Sequence, residues 1–292
     1  MQAAPSTFES LTAKGVADAV ERAIPAIATS MRPDVLSAIK DARSIESSER
    51  AKQVLDMIIK NDEIARRDSV PLCQDTGTVW VYLEVGDQMS VPGDIFSEVD
   101  GAVARAYESA RLRMSLLRDA LVDRTNTGDN TPAFTEIGFR PGKGATLHVM
   151  LKGGGSDNAS RVVMLPPGAG YDGIKDQVVK CVREKASSAC PPLLIGIGVG
   201  ATFDKVGGLA KKALLRPVGS HNADPRVAEL EVDLLEAVNA TGMGPAGLGG
   251  DTTAVAVNVK TAPCHIAALP LAINMGCCAM RSASMELVGG GR

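Results

Sequence analysis

The stretch Thr78–Val85 reads Thr-Val-Trp-Val-Tyr-Leu-Glu-Val and is followed by Gly86-Asp87. Its β-branched and aromatic residues are typical of a strand, and the Gly-Asp pair predicts a turn after it. Before this stretch, apolar residues between positions 34 and 65 recur at helical spacing and predict two or three amphipathic helices. The spacing of the apolar residues thus changes from helical to strand-like, and this change divides the chain into a helical N-terminal region, residues 1–65, and an α/β region, residues 66–292.

Helical and strand patterns alternate along the rest of the chain. A long helix is predicted from about Phe96 to Leu121, and an apolar strand from Leu193 to Val199. This alternation predicts an α/β fold with a helical N-terminal cap. The remaining predicted elements are strands near 146–152, 252–260 and 266–273 and helices near 171–186, 205–215 and 225–240.

The composition excludes several classes of protein. Lys and Arg number 31 against 34 Asp and Glu, a net charge of −3, which argues against a nucleic-acid or anionic-membrane partner. The 45% hydrophobic content argues against disorder. The first residues lack a basic segment followed by an apolar run, and no stretch approaches about 18 apolar residues, so we expect a cytoplasmic protein without a membrane span. In that compartment, six cysteines are expected to be thiols, metal ligands or core residues.

Three of the cysteines lie where predicted strands begin or end. Cys73 precedes the strand at 78, Cys190 precedes Pro191-Pro192 and an apolar strand, and Cys277 follows the last predicted strand. No Cys-x-x-Cys occurs, so the local zinc-finger pattern is absent. The three thiols could hold an iron–sulfur cluster with one open iron, bind zinc to brace the fold, or be buried core residues.

Polar residues near these cysteines each have a functional and a structural interpretation. Asp75 suits proton transfer, but an Asx-turn before Gly77 explains it equally well. The glycine run 153–155 would let backbone N–H groups approach an anion, or is a flexible turn.

Arg113 could clamp a carboxylate, or lie on the solvated face of the long helix. His265 lies in a polar break before an apolar strand, where a lone histidine is usually structural. The polar run 126–132 is interpreted as a turn.

Taken together, these segments resemble the alpha subunit of the two-subunit, iron–sulfur class I fumarases and L-tartrate dehydratases. The matching pieces occur in family order and reach from the N-terminal helices to the last predicted strand. They are Pro71–Gly77, Asn126–Ala133, Lys152–Ser156, Cys190–Pro192, Pro263–His265 and Cys277.

The resemblance implies a cofactor and a set of site residues. Cys73, Cys190 and Cys277 would each bind one iron of a 4Fe-4S cluster, leaving the fourth iron for substrate, with Cys278 beside the expected third ligand. Asp75 would serve in proton transfer and His265 would lie near the active site. The residues expected to bind a small dicarboxylate substrate are Gln74, Arg113, Gly153, Gly154 and Gly155.

The resemblance also implies a partner and a reaction. Single-chain family members carry a further C-terminal domain, for which the sequence after Cys277 leaves no room. We therefore expect a separate beta subunit in an α2β2 assembly. The isolated chain is expected to have little activity. The expected reaction is the reversible hydration of fumarate to L-malate; the alternative is dehydration of tartrate to oxaloacetate. A non-catalytic iron–sulfur sensor is a third hypothesis, but sensing would not require Gln74, Asp75 and Arg113.

Overall fold

The computed structural model describes residues 11–287 and confirms an α/β fold with a helical N-terminal region. Within these residues the helices α1 to α8 are Ala13–Ala28, Pro33–Ile45, Glu49–Asp68, Val99–Ser109, Gly154–Asn158, Gly170–Lys185, Phe203–Ala213 and Pro225–Asn239. The strands β1 to β8 are Thr78–Gly86, Phe134–Arg140, Ala145–Lys152, Arg161–Leu165, Leu193–Ala201, Ala254–Cys264, Leu269–Gly276 and Ser282–Leu287. No helix among the described residues is both long and apolar enough to cross a membrane.

The prediction of a long helix from Phe96 to Leu121 is wrong, because α4 ends at Ser109. Arg111 adopts a left-handed φ of 52°, and its N–H donates to the carbonyl of Glu108 while Leu112 N–H donates to the carbonyl of Tyr107. This pair of bonds is a Schellman motif, which closes the last helical turn. Arg113 therefore lies in irregular chain after the helix, and the interpretation of it as part of a solvated helix face is also wrong.

Contacts divide the chain into two compact units. Of the described residues, 11–30, 65–153 and 281–287 belong to unit 1, and 31–64 and 154–280 belong to unit 2. The chain therefore passes between the units four times. The sequence-based division at residue 65 remains a prediction.

Unit 1 is built on a four-stranded sheet in the order β2-β1-β3-β8, in which only the β1–β2 pair is parallel. Thr12 caps the N-terminus of helix α1, since its hydroxyl accepts the Gly15 N–H at 3.0 Å. The buried faces of α1 and α4 share one apolar core with the sheet, including Ile24, Val103 and Leu83. This core supports the segment that enters β1, where Cys73 and Asp75 lie.

Unit 2 is built on a second sheet in the order β4-β7-β5-β6, with β5 and β6 parallel and β7 antiparallel to its neighbours. Helices α6 and α8 pack on one face around Val178, Leu234 and Ile195. On α7, Ala210 approaches β5 so closely that a Cβ at Gly196 would lie 2.2 Å from the Ala210 carbonyl oxygen. The glycines of β5 thus let α7 lie directly on the strand.

Candidate functional site

The segment Pro71–Gly77, called here the entry loop, leads into β1 in unit 1. The Oδ1 atom of Asp75 accepts the Gly77 N–H at 3.0 Å, which confirms the predicted Asx-turn. Gly77 has a φ of 82°, and a Cβ there would lie 2.9 Å from backbone atoms of Leu151 and Lys152. The turn therefore requires glycine, and it fixes the position of Asp75 just before the strand.

Two buried side chains hold the end of the entry loop. The Tyr107 hydroxyl lies 3.0 Å from the Thr76 carbonyl oxygen and 3.1 Å from that of Gly77. The Tyr107 hydroxyl has a single proton, which is shared between these two carbonyl oxygens, and burial raises its pKa to about 12. Asn130, which is fully buried, donates from Nδ2 to the Gly77 carbonyl at 3.1 Å and accepts the Ser115 N–H at 2.8 Å.

Asn130 thereby links the entry loop to the segment that carries Arg113. The Thr76 hydroxyl donates directly to the Arg113 carbonyl. The Arg113 side chain is exposed, with Nε donating to the Ser115 hydroxyl at 3.3 Å. The run 126–132 has the predicted turn hydrogen bonds, including Gly128 N–H to Asn126 Oδ1 at 2.8 Å. Arg113 is therefore adjacent to the entry loop in space, although 37 residues separate it from Thr76.

Arg281 lies beside Asp75, a position that no pattern in the sequence predicted. It is only 2% exposed, and its Nη1 donates to the Asp75 carbonyl at 2.6 Å. A Cβ at Gly153 would lie 3.2 Å from Asp75 Oδ2 and 3.5 Å from Arg281 Nη2. Both charged groups thus pack against the bare backbone of Gly153. The only available signal was that Arg281 is the one charged residue in the stretch 278–285.

Cys73 is half-buried, and its Sγ donates to Oε1 of the exposed Gln74 at 3.2 Å. Unit 1 thus places five of the predicted site residues on neighbouring, hydrogen-bonded segments. They are Cys73, Gln74, Asp75, Arg113 and Gly153.

In unit 2, Cys190 and Cys277 lie at the same end of the sheet. Cys190 is exposed, has a left-handed φ of 55°, and precedes β5. Its carbonyl accepts the Cys278 N–H at 3.0 Å. The β5–β7 register, which pairs Leu194 with Gly276, explains this proximity, because the antiparallel strands bring the start of one beside the end of the other.

Gly154 and Gly155 begin the short helix α5 in unit 2. A Cβ at Gly155 would lie 2.9 Å from the carbonyl oxygen of Ser188, two residues before Cys190. Gly155 therefore packs against the turn that presents Cys190.

His265 is not brought to these cysteines within unit 2. It follows β6, is exposed, and accepts the Ala267 N–H on Nδ1 at 3.1 Å. Strand β7, with eight residues, separates it from Cys277. At roughly 3.3 Å per residue, His265 lies at the other end of that strand.

None of the six cysteines is disulfide-bonded. Across residues 11–287, no three His, Cys, Asp or Glu side chains form a group that could hold a metal ion. Cys73 belongs to unit 1, whereas Cys190 and Cys277 belong to unit 2, so neither unit alone contains all three predicted thiols. By contrast, Cys181 lies on the buried face of α6, and burial raises the pKa of its thiol.

Comparison with known proteins shows similarity along nearly the whole chain. The model of the fumarate hydratase (Fumerase) family matches residues 17–286. A Methanocaldococcus jannaschii protein, provisionally named L(+)-tartrate dehydratase subunit alpha, is 38% identical over 274 residues, covering 92% of this chain and 96% of its own. The L(+)-tartrate dehydratase subunit alpha of Escherichia coli strain K12 is 32% identical over 263 residues, covering 89% and 86% respectively. The similarity therefore extends from α1 to β8.

Proposed function

This chain belongs to the fumarate hydratase (Fumerase) family, and from that membership we propose that it is the alpha subunit of an iron–sulfur hydro-lyase that interconverts fumarate and L-malate. The observation that carries the proposal is the hydrogen-bonded set of loops in unit 1, which presents a thiol, a carboxylate and a guanidinium on adjacent segments. Those groups suit binding and proton transfer on a dicarboxylate.

The thiols fit an iron–sulfur cluster by their chemistry. Thiolates are the usual ligands of such clusters, and a ligand must be accessible rather than sealed in the core. Cys190 is exposed, Cys73 and Cys277 are half-buried, and none is disulfide-bonded. We propose these three as ligands of a 4Fe-4S cluster. All lie within residues 66–292, which we propose as the region that binds cluster and substrate.

A cluster with one iron free of cysteine supplies Lewis-acid chemistry toward substrate oxygen atoms. Asp75 is proposed to move the proton at the substrate carbon, since its Oδ1 is fixed by the Gly77 N–H while Oδ2 is directed toward Gly153. Arg113 would pair with one substrate carboxylate through its exposed guanidinium. Gln74 and the amides of the glycine run 153–155 would bind the remaining polar groups.

His265 is included as a second catalytic residue on the resemblance alone. Because β7 separates it from Cys277, its role is tested separately from that of Asp75. Turnover by His265→Gln equal to wild type would remove it from the proposal without affecting the other assignments.

The partner and location belong to the same proposal. The similar proteins are named as alpha subunits, which supports a beta subunit completing the site, and we propose an α2β2 assembly. A cytoplasmic location is proposed because thiols stay reduced there. The mass of the complex captured through a tag on this chain tests the assembly, and a homogeneous, fully active single chain would contradict it.

The cofactor is tested by anaerobic purification with any bound partner, followed by iron, sulfide and visible absorbance measurements. We expect about four irons per chain in wild type, loss of iron in Cys73→Ser, and retention in Cys264→Ser, which removes an exposed thiol outside the ligand set. Zinc in place of iron, or no metal at all, would refute the assignment.

Catalysis is tested with Asp75→Asn. This variant should retain the iron content but lose turnover, because the amide cannot accept the proton. Retained turnover would remove Asp75 from the proposed chemistry. If wild type binds the cluster but turns over neither fumarate nor tartrate, the sensor hypothesis would replace the enzyme.

Tartrate dehydration is a second candidate, favoured by the names of the similar proteins. The two substrates differ by one hydroxyl group. A substrate panel on the reconstituted complex decides between them. A higher kcat/KM for L-tartrate than for L-malate would make tartrate dehydration the first candidate.

A further inference from the structure

The last three carbonyl groups of the entry loop all contact buried side chains of unit 1. Those of Thr76 and Gly77 lie 3.0 and 3.1 Å from the Tyr107 hydroxyl. The first of the three, the Asp75 carbonyl, accepts from Nη1 of Arg281 at 2.6 Å. Arg281 therefore holds the residue that carries the carboxylate, whereas Tyr107 holds the two residues after it.

The position of Arg281 is itself fixed by the sheet of unit 1. Its carbonyl accepts the Leu151 N–H at 2.9 Å, and the β3–β8 register pairs the next residue, Ser282, with Met150. The side chain of Arg281 is buried, which leaves a long side chain few alternative rotamers. The guanidinium is thus carried by paired strands and not by a loop.

The bond from Arg281 falls on a peptide group inside the Asx-turn. Asp75 Oδ1 accepts the Gly77 N–H, and the Asp75 carbonyl belongs to a peptide group that lies between those two bonded atoms. Whatever orients this peptide group also orients the turn, and with it the second carboxylate oxygen. That oxygen, Oδ2, faces Gly153, where a Cβ would lie 3.2 Å from it and 3.5 Å from Arg281 Nη2.

We propose that Arg281 is a positioning residue for the proton transfer assigned to Asp75, a role that rests on the proposed hydro-lyase function. Because Arg281 is buried, it acts through the backbone of Asp75 and not on the substrate. It keeps the carboxylate aligned with the substrate carbon. A misplacement of about 1 Å can slow a chemical step about a hundredfold, so this bond affects turnover more than substrate binding.

The test compares two variants of Arg281 with wild type, each purified anaerobically with any bound partner. Arg281→Met removes the donor, and Arg281→Lys keeps a positive charge and one donor group on a shorter side chain. With wild-type iron content, Arg281→Met should lose about 10–100-fold in kcat while KM changes less than about threefold. Arg281→Lys should recover part of that loss. The matched control, Arg226→Met at an exposed arginine of unit 2, should keep the wild-type kcat.

A primary isotope effect separates positioning from a general loss of structure. The substrate is deuterated at the carbon that loses its proton, and kcat is measured with and without deuterium. The ratio should be larger in Arg281→Met than in wild type, because proton transfer becomes the slow step. A fraction of misfolded enzyme would lower kcat but leave the ratio at its wild-type value.

The outcomes distinguish this proposal from the function on which it rests. Absence of wild-type turnover, or retained turnover in Asp75→Asn, refutes the proposed function or the role of Asp75, and the positioning role with it. Where both of those hold, a wild-type kcat or a wild-type isotope ratio in Arg281→Met overturns the positioning role alone. If Arg281→Met does not retain iron, Arg281→Lys decides: a lowered kcat with a raised ratio supports the proposal, and wild-type values overturn it.

Discussion

The guanidinium of Arg281 donates to the backbone carbonyl of Asp75 over 2.6 Å. Arg281 directly precedes β8, and Asp75 directly precedes the turn into β1, so one buried side chain joins two segments 206 residues apart. Because both residues also pack against Gly153, the carboxylate of Asp75 is positioned by the fold of unit 1 rather than by its own loop alone.

Arg281→Met should lower the free energy of unfolding by about 1–3 kcal/mol, because it removes the donor from the Asp75 carbonyl while roughly keeping the volume. Urea denaturation measures the change. The control is Arg226→Met, at an 87% exposed arginine, which should stay within about 0.5 kcal/mol of wild type. Equal stability of the two variants would show that the Arg281 bond contributes nothing.

Gly77→Ala should destabilise the protein more than Gly128→Ala does. Both glycines have φ above 80°, but a Cβ at Gly128 meets nothing within 4 Å, whereas at Gly77 it meets backbone at 2.9 Å. The loss of stability in Gly128→Ala therefore gives the cost of the left-handed backbone alone, about 1–3 kcal/mol. In Gly77→Ala, the cost of the steric clash is added to it. Gly93→Ala, with an ordinary φ and open space, should be nearly neutral. Thermal unfolding of the three variants gives the order of their stabilities. A Gly128→Ala protein less stable than Gly77→Ala would contradict this explanation.

Asn130→Ala should loosen the link between the entry loop and the segment bearing Arg113. It removes one buried and one partly buried hydrogen bond, so we expect a loss of about 2 kcal/mol in stability and a rise in KM larger than the fall in kcat. Asn126→Ala is the control, because Asn126 is exposed and its side chain bonds Met114 and Gly128 but not the entry loop. Unchanged KM with lowered stability would limit Asn130 to a structural role.

Asp34 should make the stability of unit 2 sensitive to acid. Burial alone would raise its pKa, but hydrogen bonds from Arg32 and from the Val218 N–H outweigh burial and lower the pKa below 3.8. Its contribution is therefore complete above pH 3.8 and is lost as pH falls through the lower folded value. Wild type should lose stability relative to Asp34→Asn in that window. Asp56→Asn, at an exposed pair with Arg43, should show a smaller effect because solvent screens it. Parallel acid-unfolding curves for wild type and Asp34→Asn would refute the assignment.

The six thiols should differ in reactivity. Burial raises the pKa of Cys181, so alkylation should not reach it in the native protein, whereas the exposed Cys264 should react readily. Mass spectrometry after timed alkylation, with Cys264→Ser as the control, measures both rates. Rapid native labelling of Cys181 would mean that α6 opens easily.

Local pattern predicted most of the elements but not where α4 ends. The strand β1 is clear because its β-branched and aromatic residues are consecutive. At Arg111, however, the chain takes the left-handed conformation with an arginine, and no local signal for a helix end exists where glycine is normally found. Strand β8, with the sequence Ser-Ala-Ser-Met-Glu-Leu, has weak strand propensity and forms through its pairing with β3.

In the candidate site, too, the sequence predicted contacts between neighbouring residues but not contacts between distant segments. Spacing could relate Cys73 to Asp75, and the Asx-turn was expected because its bond is local. Arg281 could not be found in this way, since its contact with Asp75 depends on how distant strands pair. The proximity of Cys190 to Cys278 likewise follows from the β5–β7 register, which no residue spacing specifies.

The pairing of β8 with β3 also has a consequence for biosynthesis. Strands β1 to β3 leave the ribosome early, but their fourth partner is made only after residues 154–280 of unit 2. At about 5–20 residues per second, synthesis from the end of β3 to the end of β8 takes roughly 7–27 s, during which β3 keeps an unpaired edge, and such edges invite aggregation. A ribosome that stalls within residues 154–280 therefore leaves the edge of β3, in the sheet that carries the entry loop, open to pairing with other chains.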